Sequence, residues 1–345
     1  MMKQYTIAAL PGEGVGSEVV AATLAILHQA ANNQFKLRVN YGVIGWEARS
    51  QYGSYFPTET ATLCSQADGI LFGAVSKGGL LELRKAFDFF VNLRPVKIFP
   101  SLIANSSLKS DRLVGVDILF VRELVNGIYF GASGRGENEQ GSYGYHTMEY
   151  YDWQIRQIAQ VALAKAEQRS GLLTVAHKEN ALPHLPWTKL VQEVAADYPQ
   201  VTVEPMLVDN LAMQLIINPQ HFDVILAGNL FGDILSDLGG ALVGSVGLLG
   251  SASLNQAGFG MYEPIHGTAP DIAGKGRANP LGTLASAMMM LEQWGETATV
   301  KKIQQVWNDI LAQGYRTQDL YTPGTDTLVT TQELVELFGD RLTAI

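Results

Sequence analysis

Apolar positions along the first sixty residues switch between two periods. YTIAAL (residues 5–10) is a short continuous apolar run that predicts a buried strand. PGEGVG then turns the chain, and Ser17 is placed to cap a helix over SEVVAATLAILHQAA. KLRVNYGVI reads as a second strand and ADGILFGAV as a buried strand ending in glycine, while GLLELRKAFDFFVNL keeps helical spacing. This alternation predicts an α/β sheet with parallel neighbours. Further on, DRLVGVDILFVREL and NGIYFGASGRG predict strands around a turn. YYDWQIRQIAQVALAKAEQRSG predicts a long amphipathic helix that stops at Gly171. LLTVAHK and FDVILAG read as strands with the helix TKLVQEVAADYP between them. SAMMMLEQW and VKKIQQVWNDILAQG are the best helices of a mostly helical C-terminal third.

One stretch breaks both periods. Leu238 to Tyr262 carries no charged residue and is long enough to span a bilayer. Its many glycines, with Asp233 and Asp237 just upstream, predict a buried, close-packed segment instead. Composition narrows the class further. Only 17% of residues are charged, against about 25% in an average soluble chain. With 47% hydrophobic residues, that excludes intrinsic disorder. The net charge of −9 and the lack of a dense Lys/Arg run argue against a nucleic-acid partner. A single cysteine, Cys64, excludes an internal disulfide and fits a reducing, cytoplasmic setting. The apolar run before Pro11 is too short for a signal-peptide core.

Against this background a few polar residues stand out. Gly12-Glu13-Gly14-Val15-Gly16 follows a strand and opens a helix, the setting of a dinucleotide fingerprint. The third glycine would fall at Ser17, however, which favours a plain tight turn. Asp233 and Asp237 lie four apart, on one helix face, among Phe231, Ile234, Leu235 and Leu238. They form either a solvated face or a buried pair that needs a cation, and all-oxygen ligands suit Mg²⁺ or Mn²⁺. Arg84, Arg94 and Arg122 sit in apolar contexts and need partners. Those partners are either internal carboxylates or a dicarboxylate ligand held bidentately. Tyr129 and Lys178 are unremarkable by themselves. His266 and Asp271 fall in EPIHGTAPDIAGKGRANP, an irregular loop of the kind that wraps ligands.

Taken in order, GEGVG, GLLELRK, NLRP, VRELVNGIYFG, HKEN, VDNLAM, GNLFGDILSDL, GLLGSASL and EPIHGTAPDIAGKGRANP resemble the β-decarboxylating dehydrogenases over nearly the whole chain. That family includes isopropylmalate, isocitrate, homoisocitrate and tartrate dehydrogenases, and GLLELRK and GLLGSASL are most similar to its isopropylmalate members. The resemblance implies an α/β, two-domain isopropylmalate-dehydrogenase-like fold: interleaved α/β sandwich domains with an active-site cleft between them. The first, cofactor-binding domain would combine residues 1–90 and 245–345. The second, residues 91–244, would carry substrate, metal and dimer contacts.

The implied reaction is NAD- and divalent-metal-dependent oxidative decarboxylation of a 3-substituted malate with an apolar substituent. The expected case is 3-isopropylmalate going to 4-methyl-2-oxopentanoate, CO₂ and NADH, as in leucine biosynthesis. By resemblance, Tyr129 is the general acid and Lys178 helps deprotonate the substrate hydroxyl. Arg84, Arg94 and Arg122 hold its carboxylates. Leu80, Leu81, Asn180, Ala181 and Asp209 complete the substrate site, with Leu80 and Leu81 as an apolar wall. Asp209, Asp233 and Asp237 would bind Mg²⁺ or Mn²⁺. His266, Gly267, Ala269, Asp271 and Asn279 would bind NAD, Asp271 through the adenosine ribose, where its charge repels a 2′-phosphate. Lys178 and Asp209 would reach across a homodimer with shared active sites.

Some positions depart from the family pattern. The loop Ser76–Gly79 is short, Glu13 stands where the family has aspartate, and Ala181 stands where a valine is usual. The smaller Ala181 leaves room for a bulkier group such as benzyl. Gly78 and Leu80 replace the Ser and Asn with which isocitrate enzymes bind a third carboxylate. A non-catalytic regulatory homologue, the other class considered, would be expected to lose the lysine, the tyrosine or a metal aspartate, and this chain keeps them all.

Overall fold

The run YTIAAL lies within the strand Lys3–Gly12, in the computed structural model that describes residues 2–32, 34–106 and 108–344. The chain divides into two compact units. The first comprises Met1–Asp88, Phe99–Ser107 and Val243–Ile345, and the second Phe89–Ile98 and Leu108–Leu242. The described residues from Phe99 to Ser106 therefore pack with the first unit, although they fall inside the middle segment of the sequence. Phe99 stacks on Trp307 at 5.0 Å. Arg316 donates to the Ser101 carbonyl and the Asn105 amide to that of Leu320.

In the first unit the strand order is Phe35–Tyr41, Lys3–Gly12, Gly69–Ala74, Gly260–Pro264, Gly250–Leu254. All neighbours run parallel except the last pair. Parallel strands covered by helices must be apolar on both faces, and Ile7, Ala8, Ala9, Leu10, Ile70 and Leu71 are all fully buried. The helix after the first strand runs Gly16–Ala31, with Val15 at its N-cap and no side-chain cap. Ser17 thus sits inside the first turn and does not cap it. A Cβ on Gly16 would come within 2.1 Å of the Pro11 carbonyl, so the helix starts at a residue without one. Gly14 has φ +60° and presses against the Thr268 carbonyl, to which Val15 also donates at 2.9 Å. The glycine turn serves this close backbone approach.

In the second unit the order is Val91–Lys97, Asp117–Glu123, Val224–Ala227, Leu172–His177, Thr202–Leu207, antiparallel only at the first pair. The helices Asp152–Glu167 and Trp187–Ala195 pack on one another. An exposed antiparallel hairpin pairs Ser133–Asn138 with Gly141–His146. Two local expectations change. The helical reading of GLLELRKAFDFFVNL holds only over Leu80–Ala86. Asp88 then turns left-handed at φ +50°, and the β-favouring run that follows becomes the strand Val91–Lys97. The segment NGIYFG is a single 3₁₀ turn, Gly127–Tyr129, because Gly127 adopts φ +75° where a Cβ would strike the Tyr150 hydroxyl. The uncharged stretch forms the end of the helix Asn229–Val243 and the strands Gly250–Leu254 and Gly260–Pro264. Among the described residues, no helix is long and apolar enough to cross a membrane.

Candidate active site

Strand alternation places Asn92, Arg94 and Arg122 on one face, with Asn92 paired opposite Arg122. The helix Asn229–Val243 lies over them, and its Asn229, Asp233, Ser236 and Asp237 recur at helical spacing. Gly232 allows this: a Cβ there would sit 2.7 Å from the Arg122 Cγ. Arg94 donates to Asn92 Oδ1 at 2.6 Å, Ser236 Oγ at 2.8 Å and Asp237 Oδ1 at 3.1 Å, and lies 3.3 Å from Asp233. Arg122, 2% exposed, bonds Asp233 and the Asn229 amide oxygen. Tyr129, on its exposed turn, donates to Asp233 Oδ2 at 3.2 Å. Two arginines and the tyrosine thus converge on one aspartate.

The electrostatics suit proton donation and cation binding. Partial burial, then the Asp233 charge, push the Tyr129 phenol above its ordinary value, so it holds its proton at neutral pH. Burial and the like charge of Asp233 push the Asp237 carboxyl up despite Arg94. Two hard carboxylates one helical turn apart, one of them destabilised by its neighbour's charge, fit a divalent cation. Asp209 lies elsewhere. It accepts from Lys178 Nζ at 2.7 Å, a bond that holds its carboxyl below the usual range. Among the described residues no three His, Cys, Asp or Glu side chains gather as a metal cage. Asn180 and Ala181 are exposed in the turn after Lys178. Lys178 itself borders a small pocket with Tyr150, Leu182, Trp187 and Phe231.

Arg84 belongs to the first unit, at 6% exposure in the helix Leu80–Ala86, and its partner is Glu263 at 2.5 Å. Leu80 is half-buried and Leu81 exposed at the start of this helix. The short loop before it is braced by Glu13, which accepts from Ser76 N at 3.1 Å and Trp46 N at 2.9 Å.

A cavity of about 270 Å³ opens in the same unit, lined by His266, Ala269 and Asn279 together with Val15, Gln318 and Asp319. Gly267 and Asp271 are exposed on the same loop and do not line it. His266 Nε2 is buried without a hydrogen-bond partner, and burial lowers the imidazole pKa, keeping the ring neutral. An unpaired polar atom in a residue that lines a cavity fits a polar ligand such as a nucleotide.

Sequence reasoning missed Asn229, Glu123, Glu263 and Asp319. Asp319 accepts from Ser245 at 2.5 Å, Thr317 at 2.6 Å and Asn279 at 3.0 Å, fixing the cavity wall. Only Asn229 had a signal, four residues before Asp233 on the same face. Glu123 accepts from Val125 N, Asn126 N and Asn126 Nδ2, and burial pushes its carboxyl up to about 7 from an ordinary 4.5. A raised carboxyl pKa makes the folded state most favoured below 4.5, and this contribution is lost as pH rises through 7. Denaturant melts should show about 3 kcal/mol of stability lost over that window, and Glu123→Gln should remove the slope. An unchanged slope in the variant would refute the assignment.

The comparisons with known proteins agree with one another. The chain matches the family described as isocitrate/isopropylmalate dehydrogenase over residues 6–338. It is 43% identical to the 3-isopropylmalate dehydrogenase of Chromobacterium violaceum over 337 residues, covering 93% of this chain and 95% of that one. It is 45% identical to the 3-isopropylmalate dehydrogenase of Methylococcus capsulatus over 338 residues, covering 92% and 94%. Among solved structures, isocitrate dehydrogenase from Methylococcus capsulatus superposes with a TM-score of 0.89 at 26% identity, over 98% of this chain and 99% of that one. The apo β-decarboxylating dehydrogenase of Thermococcus kodakarensis does so at 0.80 and 29%, over 99% and 96%.

Proposed function

Because the chain belongs to the isocitrate/isopropylmalate dehydrogenase family and is an oxidatively decarboxylating dehydrogenase, we propose that it converts 3-isopropylmalate to 4-methyl-2-oxopentanoate, CO₂ and NADH. The convergence of Arg94, Arg122 and Tyr129 on Asp233 carries this reading. The cofactors would supply a hydride acceptor for C2 and a Lewis acid for its oxygen. Asp233 and Asp237 would hold the cation, with Asp209 as the third carboxylate. The cavity beside His266, Ala269 and Asn279 would take the adenosine end of NAD, with Gly267 and Asp271 exposed on the same loop. The Asp271 carboxylate would accept from the ribose hydroxyls and disfavour a 2′-phosphate.

Arg84, Arg94 and Arg122 would bind the two malate carboxylates, orienting C2 and C3. Lys178 Nζ would assist removal of the C2 hydroxyl proton as hydride leaves. Loss of CO₂ from the resulting β-keto acid leaves an enolate, and Tyr129 would return a proton to its carbon. Since Lys178 and Asp209 are bonded to each other, an assembly that delivers one delivers both. We therefore read them as a joint contribution across a homodimer. Asn180 and Ala181 follow Lys178 directly in sequence and would come with it, while Leu80 and Leu81 would face the apolar substituent.

A panel of 3-isopropyl-, 3-benzyl-, 3-methyl- and carboxymethyl-malates with NAD⁺ and Mn²⁺ tests this. The isopropyl compound should lead, with kcat/KM about 10–200-fold above methyl. A faster benzyl compound would assign the bulkier substrate that Ala181 leaves room for. A faster carboxymethyl compound would move the reading to tricarboxylates. Absence of NADH formation on all four would favour the non-catalytic homologue.

A further inference from the structure

We propose that Asn229 is a positioning residue that ties the Arg122 guanidinium to the turn carrying Tyr129, so that one buried amide sets both substrate binding and proton return. The inference rests on the roles just given to Arg122 and Tyr129. Asn229 is 1% exposed, and every polar atom of its side chain is used. Its Oδ1 accepts from Arg122 Nε at 3.1 Å and from the terminal nitrogen at 2.8 Å. Its Nδ2 donates to the carbonyls of Leu124 and Asn126, both at 3.0 Å. These two carbonyls belong to the segment that leads from the strand Asp117–Glu123 into the turn Gly127–Tyr129. The amide orientation is unambiguous, because a flipped group would aim N–H at the guanidinium and oxygen at two carbonyls.

The arrangement closes a ring. Arg122 and Tyr129 both reach Asp233, while Asn229 joins them from behind. The turn is gripped from its other side by Glu123, and Asn126 Oδ1 accepts from Gln154 at 2.7 Å. The backbone N–H of Asn229 donates to the Tyr150 hydroxyl at 2.8 Å, which fixes the start of the helix. Without the carboxamide, Arg122 loses the acceptor shared by its Nε and a terminal nitrogen, and the carbonyls of Leu124 and Asn126 lose their side-chain donor.

The test is a pair of double-mutant cycles on the full-length enzyme, crossing Asn229→Ala with Tyr129→Phe and with Arg122→Lys. Alone, Asn229→Ala should lower kcat by about 100-fold and raise the KM for the malate about tenfold, on the scale of a misplaced catalytic group. The KM for NAD⁺ should stay within about twofold. In the Tyr129→Phe background the kcat penalty should shrink to a few-fold, and in Arg122→Lys the KM penalty should do the same. Fully multiplicative effects, or a variant with lowered thermal stability and unchanged kinetics, would reduce Asn229 to a packing residue and overturn the proposal. If Asn229→Ala does not fold, Asn229→Asp and Asn229→Ser serve in the same cycles: Asp keeps the acceptor but turns it on two carbonyls. Near-normal activity of Tyr129→Phe and Arg122→Lys themselves would instead sink the functional reading beneath it.

Discussion

Lys178→Ala should lower kcat by about 10²–10⁴-fold, the range for loss of a positioned proton-transfer group. The effect should fall on kcat and leave NAD⁺ binding nearly untouched, since Lys178 does not line the cavity by His266 proposed for NAD⁺. Lys178 emerges from the end of the strand Leu172–His177 and is held by Asp209 at 2.7 Å, so its ammonium is directed by a carboxylate on the neighbouring helix. Removing it would delete the proposed proton acceptor and also unpair Asp209, whose carboxyl should return toward the ordinary range. Steady-state kinetics alongside direct titration of NAD⁺ would read both effects. Near-full turnover by the variant would mean that the hydroxyl proton leaves by another route.

Glu263→Gln should destabilise the protein by about 3–5 kcal/mol, the usual penalty for stranding a buried charge. Arg84 and Glu263 have 7% side-chain exposure each and lie 2.5 Å apart. The Arg84 Nε is buried without a hydrogen-bond partner, so Glu263 carries the compensation for this guanidinium. Urea unfolding should show a lower midpoint at an unchanged slope. Replacing both, Arg84→Met with Glu263→Leu, should restore much of the stability while sacrificing malate affinity. If Glu263→Gln left the midpoint unchanged, Arg84 would have to be compensated by something other than its carboxylate.

The legibility of these features in the sequence follows from their range. Strands such as Lys3–Gly12 and helices such as Asp152–Glu167 are written in local periodicity, and Asp233 with Asp237 in helical spacing, so both could be read directly. The break between Ala86 and Val91 was harder, because helical spacing carries on across Asp88, and only the left-handed backbone there ends it. Tyr129 reads as a strand residue for a similar reason: a single glycine at φ +75° decides the 3₁₀ turn. Partners distant in sequence left no trace at all. Glu263 meets Arg84 across 179 positions, and Asp319 sits in a loop without pattern. The resemblance to a known family supplied roles that spacing could not, but it said nothing of Asn229, Glu123 or Glu263.

The segment Phe99–Ser107 bears on how such enzymes can recombine. Exchanging the second unit between relatives needs two breakpoints, near Asp88 and Val243, and the transferred gene segment then carries Phe99–Ser107 with it. Phe99, Ser101 and Asn105 would arrive in a foreign first unit, where Phe99 expects Trp307, Ser101 expects Arg316 and Asn105 expects the Leu320 carbonyl. A chimaera that keeps these three partnerships would inherit a matched seam, whereas one that breaks them would carry its mismatch next to Gln318 and Asp319, in the wall of the cavity beside His266.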